Sequence, residues 1–403
     1  MGLHVLWAIV VCFSALMYTI FDGFDLGVGI LLPFVRQEGD RDTMVDSITP
    51  VWDANETWLI LAGVGLFGGF TRAYSLLLPA LYIPFVLMLV ALILRGVAME
   101  FRFMSTTRKN AWDMTFAIGS IIAAFCQGVI LGNLMEGIGP DTPRFASPFA
   151  LFIGISLIAT YALTGATWLN LKTRGLLQRR FKTYSRRILA LLLMLFIVTI
   201  WGRFNWPVFT PRYGPFGIRG IFSPVSVIWY SLTLSLVAGI YLTTNSTRDR
   251  IPFLFNMLMT VVSAAYILSG LWPYVVPPSL TIYNAGSPPF GNKILLISSY
   301  VIIPVILGYL LYSYSVFKGK VNGKDYEPVL RAEDSVVGPV RLNDQDGASA
   351  KQISIPWPLR IIIAIAGILF FFVALGVAGE PAAILSIAFF IIAFLTVCLR
   401  LRS

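Results

Sequence analysis

The chain has 403 residues, of which 57% are hydrophobic and 12% charged, and 30 Lys and Arg against 20 Asp and Glu give it a formal net charge of +10. A soluble domain carries roughly 25% charged residues, so this composition excludes an ordinary globular interior and points to an all-α, polytopic membrane helix bundle. One histidine, His4, and three cysteines, Cys12, Cys126 and Cys398, show no metal or disulfide spacing, which argues against a haem or zinc centre held by this chain alone.

Apolar runs long enough to cross a bilayer, ~20 residues each, are expected at 3–34, 50–70, 76–98, 112–135, 147–170, 185–203, 223–244, 251–272, 293–316, 359–378 and 382–399. That makes about nine core helices and a C-terminal two-helix hairpin. The first run exceeds one crossing, so its helix is tilted or protrudes. It contains FDGFDLGVG, with Asp22 and Asp25 inside hydrocarbon, where each carboxylate costs ~2.5–3.5 kcal/mol on insertion scales. The second run opens with PVWDANETW, which brings Asp53 and Glu56 between Trp52 and Trp58, tryptophans that fit interfacial anchors. The third ends in LRGVAMEFR, with Arg95 about one turn deeper than Glu100.

Later runs are poorer in buried charge. AGVGLFGG, Ala62 to Gly69, lacks the preceding strand and following Lys-Ser/Thr of a nucleotide loop and reads as close helix packing. KTRGLLQRRFKTYSRR, Lys172 to Arg187, reads as a cytoplasmic loop against anionic lipid rather than a nucleic-acid site. Tyr309, Tyr312 and Tyr314 fit an interfacial aromatic belt better than a quinone contact. From Lys318 to Gln352 the chain is polar and mixed in charge, which suits a flexible linker. The expected division is a core at 1–321, a linker at 322–356 and a transmembrane hairpin at 357–403. No Lys or Arg precedes Arg36, so no secretory signal peptide is expected.

Counted by loop, 24 of the 30 basic residues fall in or beside alternate connections. The positive-inside rule then puts the N-terminus outside and the C-terminus in the cytoplasm. Asp22, Asp25, Asp53, Glu56, Arg95 and Glu100 all map towards the cytoplasmic side of three consecutive helices. Arg95 and Glu100 are five apart, about 140° around a helix, so Arg95 needs a partner from another helix. The helix 1 and helix 2 carboxylates are the candidates. Gly23 with Gly27, and Gly65 with Gly69, are G-x-x-x-G steps that let helices approach closely. Carboxylates crowded around one arginine in low dielectric cannot all stay ionised. That suits proton conduction; a purely structural role in capping helices or neutralising Arg95 fits the same residues.

The segments DGFDLGVG, PVWDANETWLILAG, LPALYIPFVLMLVALILRGVAMEFR and GNKILLISSYVIIPVILGYLLYSYSVFKGKV together resemble subunit II of the cytochrome bd quinol oxidase family. WPYVVPPSLTIYNAGSP, Trp272 to Pro288, is similar to that family's loop before the last core helix. The likeness covers about residues 1–321. It implies a haem-free subunit of an enzyme that oxidises quinol and reduces dioxygen to water. The haems, two of type b and usually one of type d, would sit in a partner, subunit I. It further implies a proton pathway at Asp53 with Asp25 beside it, a dioxygen route near Trp58, and a bacterial or archaeal-type cytoplasmic membrane. A structural quinone or lipid is a further candidate occupant. The linker and hairpin depart from the family pattern. Leu359 to Arg400 would then replace a small accessory subunit, an idea that fails if deleting 322–403 leaves assembly and oxidase activity unchanged. The rival readings are a proton-coupled transporter and a purely structural scaffold subunit.

Overall fold

The computed structural model describes residues 2–105, 107–138, 147–205 and 224–321. The expected linker and hairpin at 322–356 and 357–403 lie outside these residues. α1 (Leu3–Leu31) closes through a 3-10 turn, Leu32–Phe34, and a short helix α2 (Glu38–Asp46) follows. Next come α3 (Trp52–Gly69), α4 (Thr71–Ala80), α5 (Tyr82–Met104), α6 (Lys109–Glu136) and α7 (Pro148–Lys172). The order continues with α8 (Gly175–Asn205), α9 (Pro224–Thr243), α10 (Arg250–Leu271), β1 (Tyr274–Val276), β2 (Leu280–Thr281) and α11 (Pro289–Val316).

Eight helices among the described residues are long and apolar enough to cross a membrane, and α3 with α4, bent by 116° between them, makes a ninth if the pair is counted as one span. The bend falls at Phe70, between glycines and Arg72, so the expected run at 76–98 is really the end of α4 and most of α5. α8 corrects the sequence reading more strongly. The ten residues 175–184, which precede the expected run at 185–203, are its first three turns, because Leu, Gln, Arg and Lys are good helix formers. α8 therefore extends ~15 Å beyond the apolar run. α2 likewise replaces an expected loop.

The bundle is built around α1 and α7. Every residue from Ile20 to Leu32, and every one from Tyr161 to Thr173, is buried. The two helices touch backbone to backbone, since a Cβ on Gly27 would collide with the Tyr161 carbonyl and Gly165, and one on Gly165 with Gly27. The G-x-x-x-G step of α1 thus serves the contact with α7. The one in α3 takes a side chain from α1: Trp7 lies over Gly65 and Gly69, and its Nε1 donates to the Gly65 carbonyl at 2.8 Å. Small residues at these points set the helix rotations.

The two ends of the bundle differ in charge. At the basic end, α2, the α5–α6 and α7–α8 connections, the start of α10 and the end of α11 meet. Arg180 pairs with Asp40 at 3.2 Å, Lys182 and Lys320 pair with Asp249 at 3.2 and 2.6 Å, and the Val321 amide bonds the Lys172 carbonyl at 2.8 Å. Burial opposes ionisation of Asp249, yet Lys320, Gln178 and Lys182 together hold its carboxyl below the usual range. At the other end the β hairpin caps the helices: Ile138 N bonds Pro277 O at 2.7 Å and Ser287 N bonds Gly69 O at 2.9 Å. Gly137 closes α6 there at φ 88°, a conformation costly for side-chain-bearing residues.

Candidate functional site

Arg95 sits nine residues before the end of α5, ~14 Å in from the basic end, and is wholly buried. It reaches to two neighbouring helices. Nη1 donates to Asp22 Oδ1 of α1 at 2.5 Å, and Nη2 to Glu56 Oε2 of α3 at 2.9 Å. The Trp52 ring lies 5.9 Å from the guanidinium carbon. Gly119 of α6 explains the seal behind it: a Cβ there would come within 2.8 Å of the Ala91 carbonyl and 3.2 Å of the Arg95 amide. α6 therefore packs on the α5 backbone and shuts the guanidinium off from lipid.

Asp25, one turn beyond Asp22, makes a different contact. Its Oδ2 accepts from Asn55 Nδ2 at 2.8 Å, and Asn55 Oδ1 accepts from the Tyr314 hydroxyl at 3.0 Å. One polar chain thus joins α1, α3 and α11. A second leaves Asp22 in the opposite direction: Tyr18 faces it from one turn earlier, Gln127 Nε2 donates to the Tyr18 oxygen at 2.7 Å, and Tyr161 donates to Gln127 Oε1 at 2.7 Å. Three carboxylates share one guanidinium here. If all three were ionised, the pocket would carry a net charge of −2. Asp22 Oδ2, Asp25 Oδ1 and Arg95 Nε are buried with no hydrogen-bond partner among the described residues, so the protein's own atoms do not satisfy the site.

The six residues singled out from sequence separate into two groups. Asp22, Asp25, Glu56 and Arg95 converge. Asp53 and Glu100 are exposed side chains outside that convergence, although Asp53 lies near enough to act electrostatically on Glu56. Trp58 is fully buried and meets Phe13 edge-on at 5.7 Å. Asn55, Tyr18 and Gln127 escaped the sequence reading, which followed charges. Tyr314, read there as interfacial, is buried and bonded to Asn55. A polar residue inside the WDANETW motif was the available signal for Asn55, but its partner is 259 positions away.

A second ionic cluster closes the basic end. Asp113 at the start of α6 accepts from Arg41 Nε at 2.7 Å and from Arg102 Nε at 2.5 Å. Arg102 also pairs with Asp42 at 2.7 Å, and Lys109 with Asp42 and Glu38 at 3.5 and 3.1 Å. Beside them Asp46 is pushed up to about 6, first by burial and then by the Asp42 charge. Acids and bases are nearly matched here, as suits a clamp tying α2 to α5 and α6.

His4 is engaged near the hairpin, 3.0 Å from Asn292 Nδ2. Among the described residues no three His, Cys, Asp or Glu side chains gather in a metal-holding arrangement.

Comparison with known proteins gives a consistent result. The family profile described as Cytochrome bd terminal oxidase subunit II matches residues 3–317. Cytochrome bd ubiquinol oxidase subunit 2 of Bacillus subtilis (strain 168) is 28% identical over 342 residues, covering 80% of this chain and 98% of its own length. Cytochrome bd-I ubiquinol oxidase subunit 2 of Escherichia coli (strain K12) is 24% identical over 366 residues, covering 81% and 97%. A chain of the bd oxidase structure from Geobacillus thermodenitrificans superposes with a TM-score of 0.59 at 16% identity, over 79% of this chain and 99% of that one. This last likeness is one of fold.

Proposed function

The chain belongs to the cytochrome bd terminal oxidase subunit II family, and from that premise we propose that it conducts protons from the cytoplasm towards the oxygen-reducing site of a haem-bearing partner, subunit I. The chain is a multi-pass membrane subunit of an oxidoreductase complex. Quinol is the reductant, dioxygen the oxidant, and the b- and d-type haems of the partner supply the redox chemistry. The observation that carries this reading is the excess of carboxylates around Arg95, deep within the helices of a subunit whose relatives are oxidase components.

Each residue has a place in the route. Asp53 and Glu100, on exposed surfaces of α3 and α5, take up protons where the seam with the partner opens to the cytoplasm. Glu56 leads inward to Asp25 and the neighbouring Asp22, which lie under the field of Arg95. Buried carboxylates that open towards one aqueous face are the usual chemistry of a membrane proton path. Trp58 lines an apolar route for dioxygen. The basic end faces the cytoplasm, which leaves the N-terminus outside and the C-terminus inside.

The partner docks where α3 and α5 present Asp53 and Glu100. Asp53 lies one turn before Glu56 and only ~4.5 Å nearer the basic end; an exposed carboxylate at that depth is costly against lipid. Along α5, Ile83, Leu87, Val90, Leu94, Val97 and Phe101 form an exposed apolar stripe. Their alternating spacing of four and three residues suits the seam of a packed partner helix.

Purification of the native complex tests the assignment: a partner with haem absorption should co-purify, whereas a proton-coupled transporter would be colourless. Asp53→Asn separates conduction from scaffolding. We expect turnover to fall at least about tenfold with an altered pH dependence, the scale of a lost proton-transfer group. Unchanged turnover and pH dependence would leave the subunit a scaffold.

A further inference from the structure

Asp22 and Asp25 lie on one face of α1, are at most 1% exposed, and belong to the same route in the reading above. Their surroundings are not alike. Asp22 faces a guanidinium at 2.5 Å. A planar, delocalised guanidinium at this distance is a close geometric match for a carboxylate. Among the described residues Asp25 has no cation in contact; one of its oxygens accepts an amide N–H, and the other has no hydrogen-bond partner there.

We infer that Asp22 is the fixed counter-ion of Arg95, that Asp25 is the carboxylate that exchanges the proton, and that Asn55 and Tyr314 are positioning residues which serve Asp25 in both of its protonation states. This deepens the proton-uptake reading and rests on it.

A side-chain amide is suited to that task. It carries a donor and an acceptor on one planar group, so a half-turn about the Cβ–Cγ bond exchanges them. In the arrangement observed, Asn55 offers Nδ2 to the Asp25 carboxylate, and its Oδ1 accepts from Tyr314. When a proton binds Asp25, the neutral carboxyl becomes a donor. The turned amide then accepts that O–H on Oδ1 and points Nδ2 at the Tyr314 oxygen, which a phenol can accept. One O–H bond forms on Asp25 when the proton arrives and breaks when it leaves, and no other covalent bond changes. The Tyr314 ring is held 5.8 Å from Phe21 and 6.2 Å from Trp168, so the phenol stays in place while the amide turns. By contrast, Glu56 has its carboxylate on Arg95 and keeps a quarter of its side chain exposed. It stands at the rim of the pocket.

The other groups acting on the two aspartates are few. α1 contributes Tyr18, α3 contributes Glu56 with Asp53 beyond it, α5 contributes Arg95, and α7 contributes Tyr161. α6 adds the uncharged Gln127 through its bond to Tyr18. Arg95, the one cation of this set, is committed to Asp22 and Glu56.

The test uses the complete oxidase complex, with haem content per complex as the measure of assembly and oxygen consumption followed across pH. Tyr314→Phe keeps the ring contacts and removes the hydroxyl; we expect normal assembly and a roughly three- to tenfold loss of turnover. Asn55→Leu should lose roughly ten- to a hundredfold, within the range of a general acid–base contribution. Both should shift the pH profile upward: Asn55→Leu by about one unit, because the carboxylate loses a donor that favours its charged form, and Tyr314→Phe by less, because the amide keeps its bond to Asp25 and loses only the hydroxyl that orients it. Lost packing alone would not shift the profile. If Asn55→Leu does not assemble, Tyr314→Phe decides. Strong impairment in Asp25→Asn with unchanged pH profiles in both positioning variants would overturn this inference and leave proton uptake standing. Parental turnover in Asp25→Asn would sink both readings. A profile shifted by Asp22→Asn and not by Asp25→Asn would reverse the two aspartates and end the assignment.

Discussion

Two ionic clusters lie towards the same end of α5 and are built on opposite principles. At the basic end, Arg41, Arg102 and Lys109 meet Asp42 and Asp113, with Glu38 and Asp46 alongside. The charges are nearly matched and water is close. Deeper in, Asp22, Asp25 and Glu56 share Arg95 alone. A matched cluster needs no further partner and can act as a clamp. An unmatched one in low dielectric must bind something positive to approach neutrality, and a proton is the smallest such partner. The same residue types thus give rigidity in one place and proton affinity in the other, by stoichiometry and depth.

The largest effect expected is at Arg95. Replacing it by leucine strands Asp22 and Glu56, and breaking a buried pair costs ~3–5 kcal/mol. Assembled complex in the membrane should fall sharply, with turnover per haem falling at least about tenfold. Full assembly and turnover would show that the deep cluster does not depend on its cation. Asp113→Asn should come next. It leaves Arg41 and Arg102 facing a neutral group, at ~1.5–3 kcal/mol for a hydrogen bond to a charge. A lowered thermal midpoint is expected, with turnover per assembled complex within about twofold of the parent. Equal losses of turnover in the two variants would erase the contrast between the clusters.

The smallest effect concerns Asp46. Its carboxyl is pushed from 3.8 to about 6 in the folded protein, so between those values the folded state keeps a proton that the unfolded state has lost. Stability therefore decreases as pH rises through that window. Asp46→Asn should flatten thermal midpoints measured from about pH 4 to 6.5, and an unchanged slope would place the titration elsewhere.

Much of the fold was legible in the chain. Long apolar runs dictate spanning helices because hydrocarbon offers no partner for an open backbone, and most expected runs match observed helices to within a few residues. Helix ends were less legible where the chain stays helical in water. α8 keeps good helix formers beyond its apolar run, and α2 folds from a polar stretch held by Arg41 and Asp113. The bend at Phe70 falls where an expected run ends, but the break at Leu81 between α4 and α5 was unreadable because apolar content continues through it.

The site was legible in part. A buried arginine with no partner five residues away requires a carboxylate from another helix, and that follows from helical geometry. Which carboxylate it meets depends on how each helix is rotated. Asp53 and Glu56 are three residues apart on α3, yet one is exposed and the other is bonded to Arg95. Asn55 and Tyr314 carry no charge and come from distant helices, so no local pattern joined them to Asp25.

From residue chemistry alone, then, the sequence settles a membrane bundle, the position of its spans and the presence of costly charges inside them. Tertiary packing decides how those charges are shared. Gly27 against Gly165, Trp7 over Gly65 and Gly69, and Gly119 against α5 fix the helix rotations. Those rotations bring Asp22 and Glu56 to one guanidinium and leave Asp25 to an amide, because side chains within one helix are placed by its period, and those of different helices only by how closely their backbones can approach.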